Sequence, residues 1–246
     1  MTTNHAQAVD LTIRDRLLDA LTISSGAVDA ISFLAFGRVF TAFMTGNLVF
    51  LGLRVGGAPA PSAVAIITAI VAFALGVFVS TRIVTGPAPS GAWPHRVTVA
   101  LGISLLAHAG FLAIWLVGRG EPSSQAIIAL LAAWGVAMGI QSAAVRALHV
   151  DGVFTTAATA TVIFLAGDLA NWPATGVERR RLVAILLSLF VGAAAGALLF
   201  IRTPMYAPLL PFGITAAVIV TASIGMERAQ GLTRAGSVSQ SSGRAV

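Results

Sequence analysis

Apolar residues fall along this chain in long blocks divided by short runs of glycine, proline and charge. A helix needs about 20 mostly apolar residues to cross a bilayer. Six blocks reach that length: Leu17–Phe36, Ala63–Val84, Val97–Val117, Ala126–Leu148, Leu182–Ile201 and Tyr206–Gly225. Helix-ending breaks lie between them, such as Gly56-Gly57-Ala58-Pro59, Gly86-Pro87-Ala88-Pro89 and Gly118-Arg119-Gly120-Glu121-Pro122. Two further blocks are shorter: Val39–Leu53 stands between Arg38 and Arg54, and Gly152–Gly167 between Asp151 and Asp168. A helix of either length covers only about 22–24 Å of a roughly 30 Å hydrocarbon core. The pattern predicts an all-α integral membrane protein with six full spans plus two short re-entrant or broken helices. Eight thinner crossings are the alternative.

The two short blocks resemble each other. Gly37 to Gly52 laid over Asp151 to Ala166 without a gap coincides at Val, Phe, Thr, Thr, Phe and Leu, and most other columns exchange small or aliphatic residues. Gly76 with Arg82 mirrors Gly196 with Arg202. These matches predict an internal duplication, repeat one over 17–118 and repeat two over 126–225, against the competing reading of coincidence between similar compositions. Three spans per repeat make the second half inverted relative to the first; four make the repeats parallel. One membrane domain, 17–225, then lies between a cytoplasmic N-terminal segment, 1–16, and a Ser-, Gly- and Gln-rich tail, 226–246, read as a disordered cytoplasmic end.

Arginine placement orients the chain. With six spans, Arg14, Arg16, Arg82, Arg96, Arg179, Arg180, Arg181, Arg228, Arg234 and Arg244 fall inside, and Arg54, Arg119 and Arg202 outside. Eight spans give the same excess, so charge places both termini in the cytoplasm without choosing between the arrangements. Val9–Leu21 is mildly amphipathic and reads as a helix along the inner surface.

Composition then removes whole classes of function. The chain is 57% hydrophobic and 10% charged, with mean hydropathy +0.91, whereas soluble domains carry roughly 25% charged residues. The net charge of +6 is spread too thinly to hold nucleic acid. Every basic residue is arginine, which excludes a lysine Schiff base and a phosphate-loop lysine. The absence of cysteine excludes disulfides, thiolate metal sites and cysteine nucleophiles. No two of the four histidines stand at the i, i+4 spacing of a helical metal pair. No signal peptide is read, because Asp10, Arg14, Asp15 and Arg16 precede a block long enough to span. The expectation is therefore no enzyme, no cofactor and no metal. The expected partners are the lipid bilayer and a small polar solute or ion, with a homodimer as a further expectation.

The candidate chemistry lies inside the hydrocarbon. Asp29 sits past the middle of the first span, where a carboxylate costs about 2.5 kcal/mol or more to insert. It reads either as a coupling-ion, proton or substrate site, or as half of an ion pair with Arg38, Arg146 or another nearby arginine. Thr45-Gly46-Asn47 is a natural helix break: if the chain enters extended over Val39–Phe43, the N-terminus of a half-helix points into the protein. Thr155, Thr156, Thr159 and Thr161 stand at the matching place in the second half. Two short segments at corresponding positions point to a transporter site; interhelical hydrogen-bonding is the competing reading. Ser32, Arg38, Thr41 and Gln141 complete the candidate set for binding a substrate or ion. Arg146 reads as snorkelling to headgroups, and His108 either as a proton shuttle or as a neutral core histidine bonded to a neighbouring helix.

Gly26-Ala27-Val28-Asp29-Ala30-Ile31-Ser32-Phe33-Leu34 and Arg38-Val39-Phe40-Thr41-Ala42-Phe43-Met44-Thr45-Gly46-Asn47-Leu48-Val49-Phe50-Leu51-Gly52 resemble the YoaK-like family of bacterial inner-membrane proteins. Met138-Gly139-Ile140-Gln141-Ser142-Ala143 and the Thr-rich stretch from Thr155 fit that family more loosely, and Thr159-Ala160 stands where such proteins often carry Thr-Gly. The resemblance covers roughly residues 17 to 225. It implies a multi-pass bacterial protein of this size and supplies no activity. Together these readings favour a small secondary transporter or permease, with a non-transporting scaffold or accessory subunit as the alternative.

Overall fold

The computed structural model describes residues 2–86, 92–150, 158–170 and 176–242, with side chains placed over 11–86, 92–150, 158–170 and 178–225. Regular structure among these residues is helical: α1 Thr2–Ala35, α2 Met44–Val55, α3 Ala63–Val84, α4 His95–Val117, α5 Ser124–Arg146, α6 Ala158–Ala170, α7 Gly176–Arg202 and α8 Leu209–Ser242, with a 3-10 turn at Pro204–Tyr206. Helical backbone in α8 continues over 226–242, the stretch whose composition reads as a tail. Six helices hold apolar stretches long enough to span, beginning with Leu11–Ala35 in α1; α2 and α6 are too short.

Two apolar clusters fix the direction of each helix. One gathers Leu17, Leu18 and Leu21 of α1 with Val97 and Leu101 of α4, Ile140 and Val145 of α5, Ile185 of α7, Val218 and Ala222 of α8, and Ile83 of α3 against them. The other joins Ile31 and Phe36 to Ala65 and Ile66, Phe111 and Trp115, Leu130 and Trp134, with Phe200 packed alongside and Ala207 just before α8. So α1, α4 and α7 run from the first cluster to the second, and α3, α5 and α8 run back. The end of α1 and the start of α3 lie at the same end of the bundle, so α2 adds no crossing. The same holds for α6 between α5 and α7. Six traverses result, three in each half and opposite in sense, and the eight-crossing alternative fails.

One expectation is corrected here. Leu17, Leu18 and Leu21 are buried in the bundle, so the amphipathic stretch is the lower part of the spanning helix itself. Leu17, Leu18 and Leu21 pack against α4, α5 and α8, whereas Leu11 and Ile13 are exposed, and the stretch belongs to one continuous helix.

Glycines set how closely the central helices approach. On α1 and α7, a Cβ added at Gly26 would overlap the Leu189 carbonyl, and one at Gly192 would overlap that of Ile23. On α5 and α3, a Cβ at Gly139 would overlap the Phe73 carbonyl, and one at Gly76 that of Val136. Each helix thus offers a glycine and, three residues earlier, the carbonyl on which its partner's glycine rests. Such contact needs residues without side chains and is the usual basis of tight packing where lipid removes the hydrophobic drive. Large apolar side chains such as Val71, Phe78, Leu106 and Phe190 face outward, more than half exposed, as a lipid-facing surface requires.

Candidate functional site

The chain reverses sharply after α1. Gly37 and Arg38 both adopt positive φ, 71° and 70°, and the Arg38 amide donates to the Phe33 carbonyl at 2.9 Å, closing the helix as a Schellman turn. Residues 39–43 then fold back along α1 without helical structure, and α2 begins at Met44. The amides of Thr41 and Ala42 donate to Asp29 Oδ1 at 3.0 and 2.8 Å. Asp29 lies six residues before the end of α1, so this contact sits roughly 9 Å inside the helix end at 1.5 Å rise per residue. The segment is therefore re-entrant, and Asp29 is the group that meets its turn.

Asn47 fixes the same segment from the other side. Its Oδ1 accepts from the Phe40 amide at 3.1 Å and its Nδ2 donates to the Phe40 carbonyl at 2.7 Å, with the side chain fully buried. Gly46 is needed beside it, since a Cβ there would press on the rings of Phe43 and Phe40. Phe40 stacks on Phe33 at 5.0 Å between centroids and meets Phe43 edge-on at 5.3 Å. Four backbone groups of a short unpaired stretch are thus satisfied by two side chains, as a low-dielectric surrounding demands.

Between α1, α7 and this segment lies a cavity of about 540 Å³, within the usual range for small-molecule sites. Among the described residues Asp29 and Ser25 are its polar lining; Ala30, Phe33, Phe40 and Phe43 face Leu189, Ala193 and Ala197 of α7, and Ala158, the first residue of α6, borders one side. Ser25 is fully buried and its hydroxyl has no hydrogen-bond partner. The Thr41 hydroxyl is likewise buried and unpartnered.

The remaining sequence candidates scatter around this point. Ser32 is buried and donates to the Asp29 carbonyl at 3.1 Å, supporting the helix. Arg38 is exposed in the turn above the cavity and Thr45 is exposed on α2. Gln141 is buried on α5, donating to the Leu21 carbonyl at 3.1 Å, with its Oε1 unpartnered. Thr159 is exposed on α6, while Thr161 is buried; Thr155 lies outside the described residues. The ion-pair reading of Asp29 is replaced: among the described residues its bonded partners are backbone amides, and Arg146 is exposed at the opposite end of the bundle. Asp168 instead pairs with Arg179 at 3.0 Å, tying α6 to the start of α7.

His108 is buried at 1% exposure beside Trp134, with 6.3 Å between ring centroids, and neither ring nitrogen finds a partner. The expected hydrogen bond to a neighbouring helix is absent, because the surroundings are aromatic: Phe111 stacks on Trp134 at 3.6 Å one turn further on. Sequence reasoning missed Ser25 and the aromatic wall. Ser24-Ser25 in mid-span was a signal for the first; Phe33, Phe40 and Phe43 gave none, since apolar rings in a membrane protein ordinarily pack against lipid.

The fold defines a polytopic helical membrane protein with a re-entrant segment and an open, carboxylate-bearing cavity between α1, α7 and that segment. The chain belongs to the family described as protein of unknown function (DUF1275), whose model matches residues 17–221. It is similar to the UPF0700 transmembrane protein YoaK of Bacillus subtilis (strain 168), with 34% identity over 158 residues, 64% of this chain and 68% of that one. No solved structure matches.

Proposed function

We propose that this chain is a small secondary transporter or permease whose solute enters the Asp29 cavity. One observation carries the reading: a carboxylate within the bundle, held by the amides of a re-entrant segment, borders a cavity large enough for a small molecule. A group so costly to insert is retained for a task that apolar residues do not perform. Asp29 anchors the solute or carries the coupling ion, and Thr41, Gly46 and Asn47 shape the segment that presents it.

A contact pattern that recurs between the halves supports the reading and fits an inverted duplication. The paired contacts of α1 with α7 recur between α5 and α3, in the same glycine–carbonyl register and with the helices running the opposite way. That register sets Gly76 over Gly192, one turn from the Gly196 match that the residues suggest by themselves. Inverted repeats with broken helices at corresponding places are a recurrent plan of secondary transporters. The bundle end holding the start of α1 also carries Arg14, Arg16, Arg82, Arg96, Arg146 and Arg179–Arg181, against Arg38, Arg54, Arg119 and Arg202 at the other. By the positive-inside rule both termini face the cytoplasm, in a bacterial inner membrane.

The competing scaffold reading rests on the same bonds, since Asp29 and Asn47 also lock the segment. Asp29→Asn separates the two, because an asparagine oxygen still accepts both amides. In proteoliposomes on a solid-supported membrane, a panel of amines, amino acids and organic acids is applied to wild type and variant. The expected result is a solute-driven current in wild type that the folded variant lacks. No current with any solute, or equal currents in both proteins, refutes transport through Asp29.

A further inference from the structure

We infer that the cavity takes an organic cation: a monovalent ammonium or phosphonium compound with an apolar or aromatic body. The inference rests on the Asp29 cavity being the solute site and adds the chemical class of the occupant. Asp29 has no cationic partner among the described residues, so its charge is left to the amide dipoles of Thr41 and Ala42 and to whatever enters. Two amide dipoles supply only part of a neutralising charge, and the adjoining walls are apolar. A positive centre completes the balance.

The walls suit the rest of such a molecule. Phe33, Phe40 and Phe43 form a continuous aromatic side through the 5.0 and 5.3 Å contacts, and ring faces attract cations, more strongly when water is excluded. Among the described residues no arginine or histidine lines the cavity, so a carboxylate or phosphate would meet Asp29 with none of them to hold it. A sugar or zwitterion would leave most of its polar groups unpaired against the alanines of α7, each at a cost. Ser25 adds one unpartnered hydroxyl, enough for a single ammonium N–H or hydroxyl on the ligand.

The test is equilibrium binding to the full chain in nanodiscs, with labelled tetraphenylphosphonium and benzyltrimethylammonium as probes. Tetraphenylborate, of the same shape and opposite charge, and neutral triphenylphosphine oxide are the comparison ligands. Saturable binding of a cation is expected, weakened about tenfold or more by Asp29→Asn, with both comparison ligands at least that much weaker in wild type. Ala197→Leu, which fills the cavity from α7 without touching the Asp29 bonds, is expected to weaken the cation similarly and serves if Asp29→Asn fails to fold. Equal binding of cation and neutral ligand, or cation binding indifferent to both variants, overturns the inference and identifies an apolar pocket for lipid chains. Flux is read separately in proteoliposomes. Cation binding without current leaves the inference standing and removes the transporter reading; currents driven only by neutral or anionic solutes overturn the inference and leave transport intact.

Discussion

Asn47→Leu tests whether two hydrogen bonds hold the re-entrant segment in place. The wild-type side chain is fully buried and serves both the amide and the carbonyl of Phe40, at 3.1 and 2.7 Å. Leucine keeps the branched shape and leaves both backbone groups without partners. Each unsatisfied buried group costs about 1–3 kcal/mol, so the pair costs about 2–6 kcal/mol. Phe40 is only half-buried beside the cavity, and relaxation toward that space places the expected loss in the lower part of the range, about 2–4 kcal/mol. Equilibrium unfolding in mixed micelles reads this directly. A second readout uses the cysteine-free background: Phe43→Cys, exposed at the start of α2, is expected to alkylate faster when combined with Asn47→Leu. A variant within about 0.5 kcal/mol of wild type, with unchanged alkylation, would refute the argument that these bonds position the segment.

Other outcomes follow from the same geometry. Gly139→Ala drives a methyl into the Phe73 carbonyl and is expected to destabilise by about 1–3 kcal/mol; Gly102→Ala, with open space around it, should be neutral or gain up to about 1 kcal/mol. Equal effects in micelle unfolding would discount the close helix approach. Single cysteines at Ala58 and Glu121 should react with an impermeant thiol reagent on intact cells, whereas His95→Cys should react only after permeabilisation; any pattern that puts Ala58 and Glu121 on different sides, or His95 on the side of either, contradicts six traverses, and a full reversal contradicts the cytoplasmic termini. His108→Leu removes two unpartnered buried nitrogens, and a gain of about 1 kcal/mol in stability is expected. A folded His108→Leu protein that has lost transport would instead give the histidine a protonic role.

Much of the fold was legible because each full span announces itself by length, and because Val39–Leu53 and Gly152–Gly167 fall short of the bilayer thickness by several ångströms. Asp29 and Asn47 were legible for a different reason: polar groups in hydrocarbon are conspicuous against their neighbours. What each bonds to was not. An aspartate in mid-span suggests an arginine partner, but the turn at Gly37-Arg38 brings bare amides to it first. Which α7 glycine meets which carbonyl was not legible either, since Gly192 and Gly196 stand one turn apart and both rest on α1, at Ile23 and Ala27. The aromatic wall stayed hidden, since a phenylalanine facing a cavity and one facing lipid look alike in sequence.

The reciprocal glycines divide the bundle mechanically. Carbonyl-on-glycine contact leaves α1 with α7, and α3 with α5, no slack in which to slide, so each pair moves as one stiff beam. The seam between beams lacks that reciprocal register: where α1 meets α5, the hydrogen bond from Gln141 to the Leu21 carbonyl is a polar tie, beside apolar side chains such as Leu18, Leu21, Ile140 and Ala144. Rocking of one beam against the other therefore stretches little. Distances measured across the α1–α5 seam are where a change of state would register, while those inside either beam would stay fixed.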